Sequence, residues 1–146
     1  HRPEGRPTRV VHGDFRLGNL LVDGEGITAV LDWELAHLGD PAEDLGWLVA
    51  RAWRFGGSGE VGGIGTRREL LDAYGAAGGQ TITEAELRWW EVFASLRWGI
   101  ITMFMGDEHR RGATRSVEQA AIGRRVVETE YDVMLLLLPE LTGAST

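Results

Sequence analysis

The apolar positions between Val10 and Glu34 fall into three short runs, each stopped by polar residues or glycine. Val10 and Val11 run into His12-Gly13-Asp14. Leu20, Leu21 and Val22 run into Asp23-Gly24-Glu25-Gly26, and Ile27 to Leu31 runs into Asp32. Runs this short, bounded by turn residues, predict strand, tight loop, strand, turn, strand. Leu35 to Gly39 reads as a connecting loop. Asp14, Asn19 just before Leu20, and Asp32 therefore stand at strand ends, so a small hairpin presents two carboxylates and one carboxamide. Hard oxygen donors of this kind suit Mg²⁺ rather than zinc or copper.

Beyond Gly39 the period becomes helical. Asp40 with Glu43, Thr66 with Glu69, Thr83 with Glu86, and Ser116 with Gln119 have the spacing of capping boxes, which predicts four helix starts. Pro41 takes the favoured first position of the first helix. Leu45, Leu48, Val49 and Ala52 recur along it, with Trp47 and Trp53 beside them. The third helix carries Trp89, Trp90, Phe93, Leu96, Ile100 and Phe104. From Gly99 to Met105 it is apolar on nearly every side, which predicts a path through the core. Met103, Met105 and the tryptophans then read as core filler. Ile122, Val126, Val133 and Leu137 share a face of the fourth helix, and Pro139 predicts its end.

The segments between these elements are polar. His1 to Thr8 reads as a linker. Asp107 to Arg111 reads as a solvated connection, with Arg110 and Arg111 available to an anionic substrate. Gly57 to Gly62 matches G-x-G-x-x-G, but it follows a helix rather than a strand and carries Glu60 where phosphates would approach. It reads as a flexible loop, not a phosphate cradle.

Composition narrows the choice of function. A chain of 146 residues is the size of one domain. A net charge of −7 argues against a nucleic-acid or membrane-surface partner. The absence of cysteine excludes disulfides and thiolate metal sites and fits a cytoplasmic protein. Leu135 to Leu138 is too short an apolar run to span a bilayer. His1, His12, His37 and His109 are scattered, with no ligand spacing among them, which disfavours a metal-dependent phosphohydrolase.

His12-Gly13-Asp14, then Asn19, then Asp32-Trp33-Glu34, form H-G-D-x-x-x-x-N followed by D-W-E. This pattern resembles the catalytic segment of the aminoglycoside phosphotransferase and choline-kinase-like family, small-molecule relatives of the protein kinases. D-W-E-L-A-x-L-G-D-P-x-x-D-L, and the later I-G-R-R-V-V-E-T-E-Y-D, resemble in particular phosphotransferase domains related to those fused to acyl-CoA dehydrogenases. The resemblance implies an α+β fold over residues 1–146, a single domain: the mainly helical C-terminal lobe of a protein-kinase-like fold, with a small hairpin carrying the catalytic loop. It implies transfer of the γ-phosphoryl group of ATP, or another nucleoside triphosphate, to a hydroxyl of a small-molecule acceptor, with Mg²⁺ as cofactor.

The same resemblance assigns residues. Asp14 would orient or deprotonate the acceptor hydroxyl, and Arg16 would stand near the transferred phosphate. Asn19 and Asp32 would hold Mg²⁺. Glu34, where D-F-G has glycine, would add a metal or phosphate contact. His12 would support the loop. Asp44 has two compatible readings: a brace for the catalytic loop, and a first-turn carboxylate favoured by the helix dipole. Read without the resemblance, Asp14 and Asn19 could cap turns and Asp32 could simply end a strand.

A kinase's glycine loop, strand lysine and paired helix glutamate have no counterpart in these residues: all fifteen basic residues are arginine. The expected partners are therefore the acceptor and the missing N-terminal lobe. The chain by itself is expected to lack activity and to self-associate through its hairpin side. A catalytically silent kinase-like binding module is the alternative.

Overall fold

The structure, a computed structural model, describes residue 3 and residues 5–142. Two compact units are distinguished, one ending at Glu91 and one beginning at Val92, so the division falls inside a long helix.

The first unit holds the strands β1 (Arg9–Val11), β2 (Leu20–Asp23), β3 (Gly26–Val30) and β4 (His37–Gly39), followed by the helices α1 (Ala42–Val49) and α2 (Arg67–Ala76) and the start of α3 (Glu84–Arg110). β2 and β3 form the expected hairpin, with Leu20 opposite Val30. β1 does not join them. It pairs antiparallel with β4, Val10 opposite Leu38, so the expected connecting loop after Leu35 is in part a strand. The cause lies in between: Gly13 adopts φ +84°, and a 3₁₀ turn at Leu17–Asn19 redirects the chain before β2 begins. Arg6 forms ion pairs with Asp40, at 3.2 Å, and with Glu86, at 2.5 Å, which ties down the segment expected to be a linker. Its residues His1, Arg2 and Glu4 lie outside the described residues.

The core gathers Ala42, Leu45, Leu48 and Val49 of α1 with Val61, Ile82, Leu87 and Trp90. Gly46 makes this packing close. A Cβ there would lie 2.6 Å from the Trp90 carbonyl carbon, so α1 and α3 touch backbone to backbone. The glycine-rich stretch after Phe55 is not a loose loop. Gly59 bridges to Gly63 and Val61 to Gly65, and a Cβ on Gly57 would fall 2.5 Å from the Gly63 oxygen. Glu60 binds Arg67 at 2.9 Å, and Arg67 binds the buried Glu91 at 2.6 Å. Burial pushes the Glu91 carboxyl above the usual carboxylate range, although Arg67 and Arg54 stand beside it.

The helix starts form in different ways. Thr66 with Glu69 and Thr83 with Glu86 close reciprocal capping boxes. Ser116 accepts from the Gln119 N–H, but Gln119 Oε1 has no hydrogen-bond partner, so that box is half made. Asp40 accepts from the Ala42 N–H, and Glu43 meets His37 Nε2 at 3.2 Å.

The second unit holds the rest of α3, then α4 (Val117–Gly123) and α5 (Val126–Thr142). The single expected helix after Ser116 is thus two. At Gly123, the last residue of α4, the Cβ position lies 2.5 Å from Gly106 Cα, so the end of α4 meets α3 backbone to backbone. The helical backbone continues past Pro139 to Thr142, where a missing N–H costs only one bond of the last turns. Asp107 to Arg111 is not a loop either. It is mostly the last turn of α3, with Asp107 paired to Arg110 and Arg111. The apolar stretch of α3 is not core: Ile100, Met103 and Phe104 are each at least 60% exposed. No helix among the described residues is long and apolar enough to cross a membrane.

Candidate active site

The loop from His12 to Asn19 is held from below by α1. Asp44, in its first turn, accepts from the His12 N–H at 2.7 Å and from the Gly13 N–H at 2.9 Å, one bond per carboxylate oxygen. Asp44 is thus at once a first-turn carboxylate of α1 and an acceptor for the loop backbone. Gly13 is required here on two counts: its φ is positive, and a Cβ would meet the Leu35 oxygen at 2.6 Å.

His12 is buried and acts as a spacer. The Asp14 N–H donates to His12 Nδ1 at 3.1 Å, so that nitrogen carries no proton. Nε2 carries it and donates to the Leu31 oxygen at 2.8 Å. One imidazole thus joins the His12–Asn19 loop to the residue before Asp32. Asn19 makes a second join, its main-chain oxygen accepting from the Leu31 N–H at 2.8 Å.

Asp14 is the centre of the polar cluster. Its Oδ2 accepts from Asn19 Nδ2 at 2.7 Å and from Arg16 Nε at 3.2 Å. Its Oδ1 accepts from Trp47 Nε1 at 2.8 Å and more weakly from the same Arg16 nitrogen at 3.3 Å. Asn19 also donates to the Asp14 main-chain oxygen, so its amide nitrogen is fully used and Oδ1 is left as its acceptor. Asn19 is buried at 2% exposure, which fixes this orientation.

Asp32 follows β3 in the left-handed region, φ 62° and ψ 57°, an uncommon conformation for a residue with a side chain. The neighbouring Trp33 sustains it, donating from Nε1 to the Val30 oxygen at 2.8 Å and packing at a tilt against His12 with ring centroids 4.6 Å apart. Asp32 makes no capping hydrogen bond, and Glu34 lies in the short 3₁₀ turn after it. Both are exposed. Among the described residues no three His, Cys, Asp or Glu gather as a metal cage. The Asn19 carboxamide oxygen and the Asp32 carboxylate are hard oxygen donors, the chemistry that suits Mg²⁺, which keeps several waters and takes the rest of its shell from phosphate.

The structure thus brings His12, Asp14, Arg16, Asn19 and Asp44 into one hydrogen-bonded cluster, with the Asp32 backbone one residue from it. Arg16 is engaged by Asp14 and lies over Trp53, its Cζ 5.2 Å from the ring centroid. His37 is off the site on β4, 3.2 Å from Glu43. Trp47 and Trp53 join the cluster although the sequence pattern marks them only as core filler. A signal exists for Trp47: it lies three residues past Asp44, hence on the same helix face.

Comparison with known proteins bears on the family and the fold. The family model described as "Phosphotransferase enzyme family" matches residues 1–90. The chain is 51% identical over 49 residues to mouse (Mus musculus) acyl-CoA dehydrogenase family member 10, an alignment covering 32% of the chain and 5% of that protein. It also resembles the crystal structure of a candidate aminoglycoside phosphotransferase from Ralstonia eutropha JMP134. That match has a TM-score of 0.72 and 26% identity over 88% of the chain and 42% of the other. The chain therefore spans less than half the length of either protein.

Proposed function

The chain belongs to the phosphotransferase enzyme family, and on that premise we propose that it is the catalytic lobe of an ATP-dependent kinase acting on a hydroxyl of a small molecule. The observation that carries this reading is the set of short hydrogen bonds converging on Asp14. A carboxylate held in one orientation, on a loop braced by Asp44, suits the task of positioning an attacking hydroxyl and accepting its proton late in the transfer. Asn19 Oδ1 and Asp32 would hold Mg²⁺, with Glu34 near enough in sequence to add a contact. Bound Mg²⁺ would neutralise charge developing on the transferred phosphate. The Arg16 guanidinium makes only long bonds to Asp14, so it is the group that can turn towards phosphate oxygens as the hydroxyl takes its place.

A partner lobe would supply what these residues do not: a lysine and a glycine loop on the nucleotide phosphates. The test joins the N-terminal lobe of the Ralstonia relative upstream of Arg9 and measures phosphoryl transfer from ATP to a panel of amino-sugar, choline-like and hydroxy-acid acceptors. Transfer should appear with the lobe and be undetectable without it. Asp14→Asn should lower turnover by roughly two orders of magnitude or more, with little change in ATP affinity. Near-normal turnover in the Asn variant would rule out Asp14 as the residue that positions and deprotonates the hydroxyl. A folded two-lobed protein that binds ATP but transfers to nothing would favour a silent binding module.

A further inference from the structure

We propose that Trp47 is a positioning residue for Asp14, the indole N–H fixing the carboxylate in the orientation that the acceptor hydroxyl meets. The inference rests on the reading of Asp14 as the catalytic carboxylate and adds a residue to it.

A carboxylate has about four lone-pair sites for donors. Asn19 takes one on Oδ2 at 2.7 Å and Trp47 one on Oδ1 at 2.8 Å. The Arg16 Nε–H is shared between both oxygens at 3.2 and 3.3 Å. Short bonds from two rigid groups set the plane of the carboxylate. The long, shared bond from a flexible side chain is the one an incoming hydroxyl can displace. Asn19 and Trp47 are 2% and 3% exposed, so water cannot substitute for either. Trp47 is also placed more firmly than a surface donor. It lies on α1 one turn beyond Asp44, which binds the backbone of the same loop. One helix therefore holds both the main chain before Asp14 and its side chain.

The contacts close into a ring. Trp47 donates to Asp14, Asp14 pairs with Arg16, Arg16 lies over Trp53, and Trp53 packs on Trp47 with centroids 5.2 Å apart. A cation over an indole face is favourable, so Arg16 has a resting place whether or not it binds Asp14. Its release for phosphate then leaves Trp47 and Asn19 still holding the carboxylate.

The test reads the bond directly and then its effect. In the ¹⁵N-labelled chain, the Trp47 indole N–H signal is identified by its loss in Trp47→Phe. In Asp14→Ala, which removes both acceptor oxygens, that signal should shift and exchange with solvent at least tenfold faster, while the indole signals of tryptophans outside the cluster stay put. An unmoved signal would overturn the proposal. In the protein bearing an upstream lobe, Trp47→Phe should lower kcat by about tenfold, the scale of one hydrogen bond to a charged group, with the acceptor KM nearly unchanged. Trp53→Phe, which keeps an aromatic ring under Arg16, should cost much less. Wild-type kcat in a folded Trp47→Phe protein would overturn the proposal. If Asp14→Asn also kept wild-type kcat while the indole signal still moved in Asp14→Ala, the base assignment would be what failed.

Discussion

Asp44 shows most plainly how one side chain can organise a loop. Its two oxygens each take a backbone N–H, from His12 and Gly13, that would otherwise be buried without a partner. Buried hydrogen bonds to a charged group are worth about 1.5–3 kcal/mol each, and an unsatisfied N–H costs a similar amount. Asp44→Ala should therefore destabilise the chain by several kcal/mol, on the order of 3–5, as read by urea denaturation. Asp44→Asn should recover part of this, since one oxygen remains. A loss under about 1 kcal/mol in the alanine variant would mean that the loop holds itself. The part of Asp44 was legible in L-G-D-P-x-x-D-L. The part of Trp47 was not, although its helical spacing from Asp44 pointed to the same loop. Tryptophan is common in cores, and nothing local distinguishes a filler from a donor aimed at a carboxylate 33 positions away.

At the scale of elements, local signals were legible where they act locally. The β2–β3 hairpin follows from its turn residues, and the capping boxes at Thr66 and Thr83 follow from spacing alone. What escaped depends on distant backbone: β4, because its partner β1 lies before the hairpin, and the close approach of Gly123 to Gly106. The capping boxes carry a pH dependence. Backbone bonds from Thr66 and Thr83 hold the Glu69 and Glu86 carboxyls below the ordinary glutamate value, with Arg6 adding to the second. In that range the unfolded chain binds more protons than the folded one. The contribution to stability is therefore full above the unfolded value, about pH 4.3, and is lost as pH falls through the depressed folded value. Hydrogen exchange should show the Thr83 N–H losing protection below that point. The Leu87 N–H, bonded to the Thr83 oxygen at 2.9 Å, should stay protected until global unfolding. Equal loss at both amides would indicate that acid acts on the whole fold, not on the box.

The whole molecule carries more exposed apolar surface than its sequence pattern predicts. On the strands Val10, Val22, Ile27 and Leu38 are exposed, and Val22 stands directly opposite Ile27. In the second unit Ile100, Met103 and Phe104 of α3 and Val127, Tyr131 and Met134 of α5 are exposed as well. The periodicity of α3 reads as core because an all-round apolar helix needs cover, and sequence alone does not say whether that cover comes from the same chain. Patches of this kind mark association surfaces. If the exposed apolar side chains of the β2–β3 hairpin buried about 500 Å² of apolar area, the gain at 25 cal/mol per Å² would be roughly 12 kcal/mol. Association itself costs about 4–15 kcal/mol, so self-association should be weak, with Kd on the order of micromolar or above. The net charge of −7 opposes it by repulsion between copies. Salt screens that repulsion, so sedimentation equilibrium should give tighter association at about 0.5 M than at about 0.05 M salt. Val22→Glu with Ile27→Glu should weaken it at least tenfold, whereas Ile100→Glu with Phe104→Glu should not. A monomer at every concentration and salt would remove the strand face as an association surface. The reverse order of the two double variants would move that surface to α3.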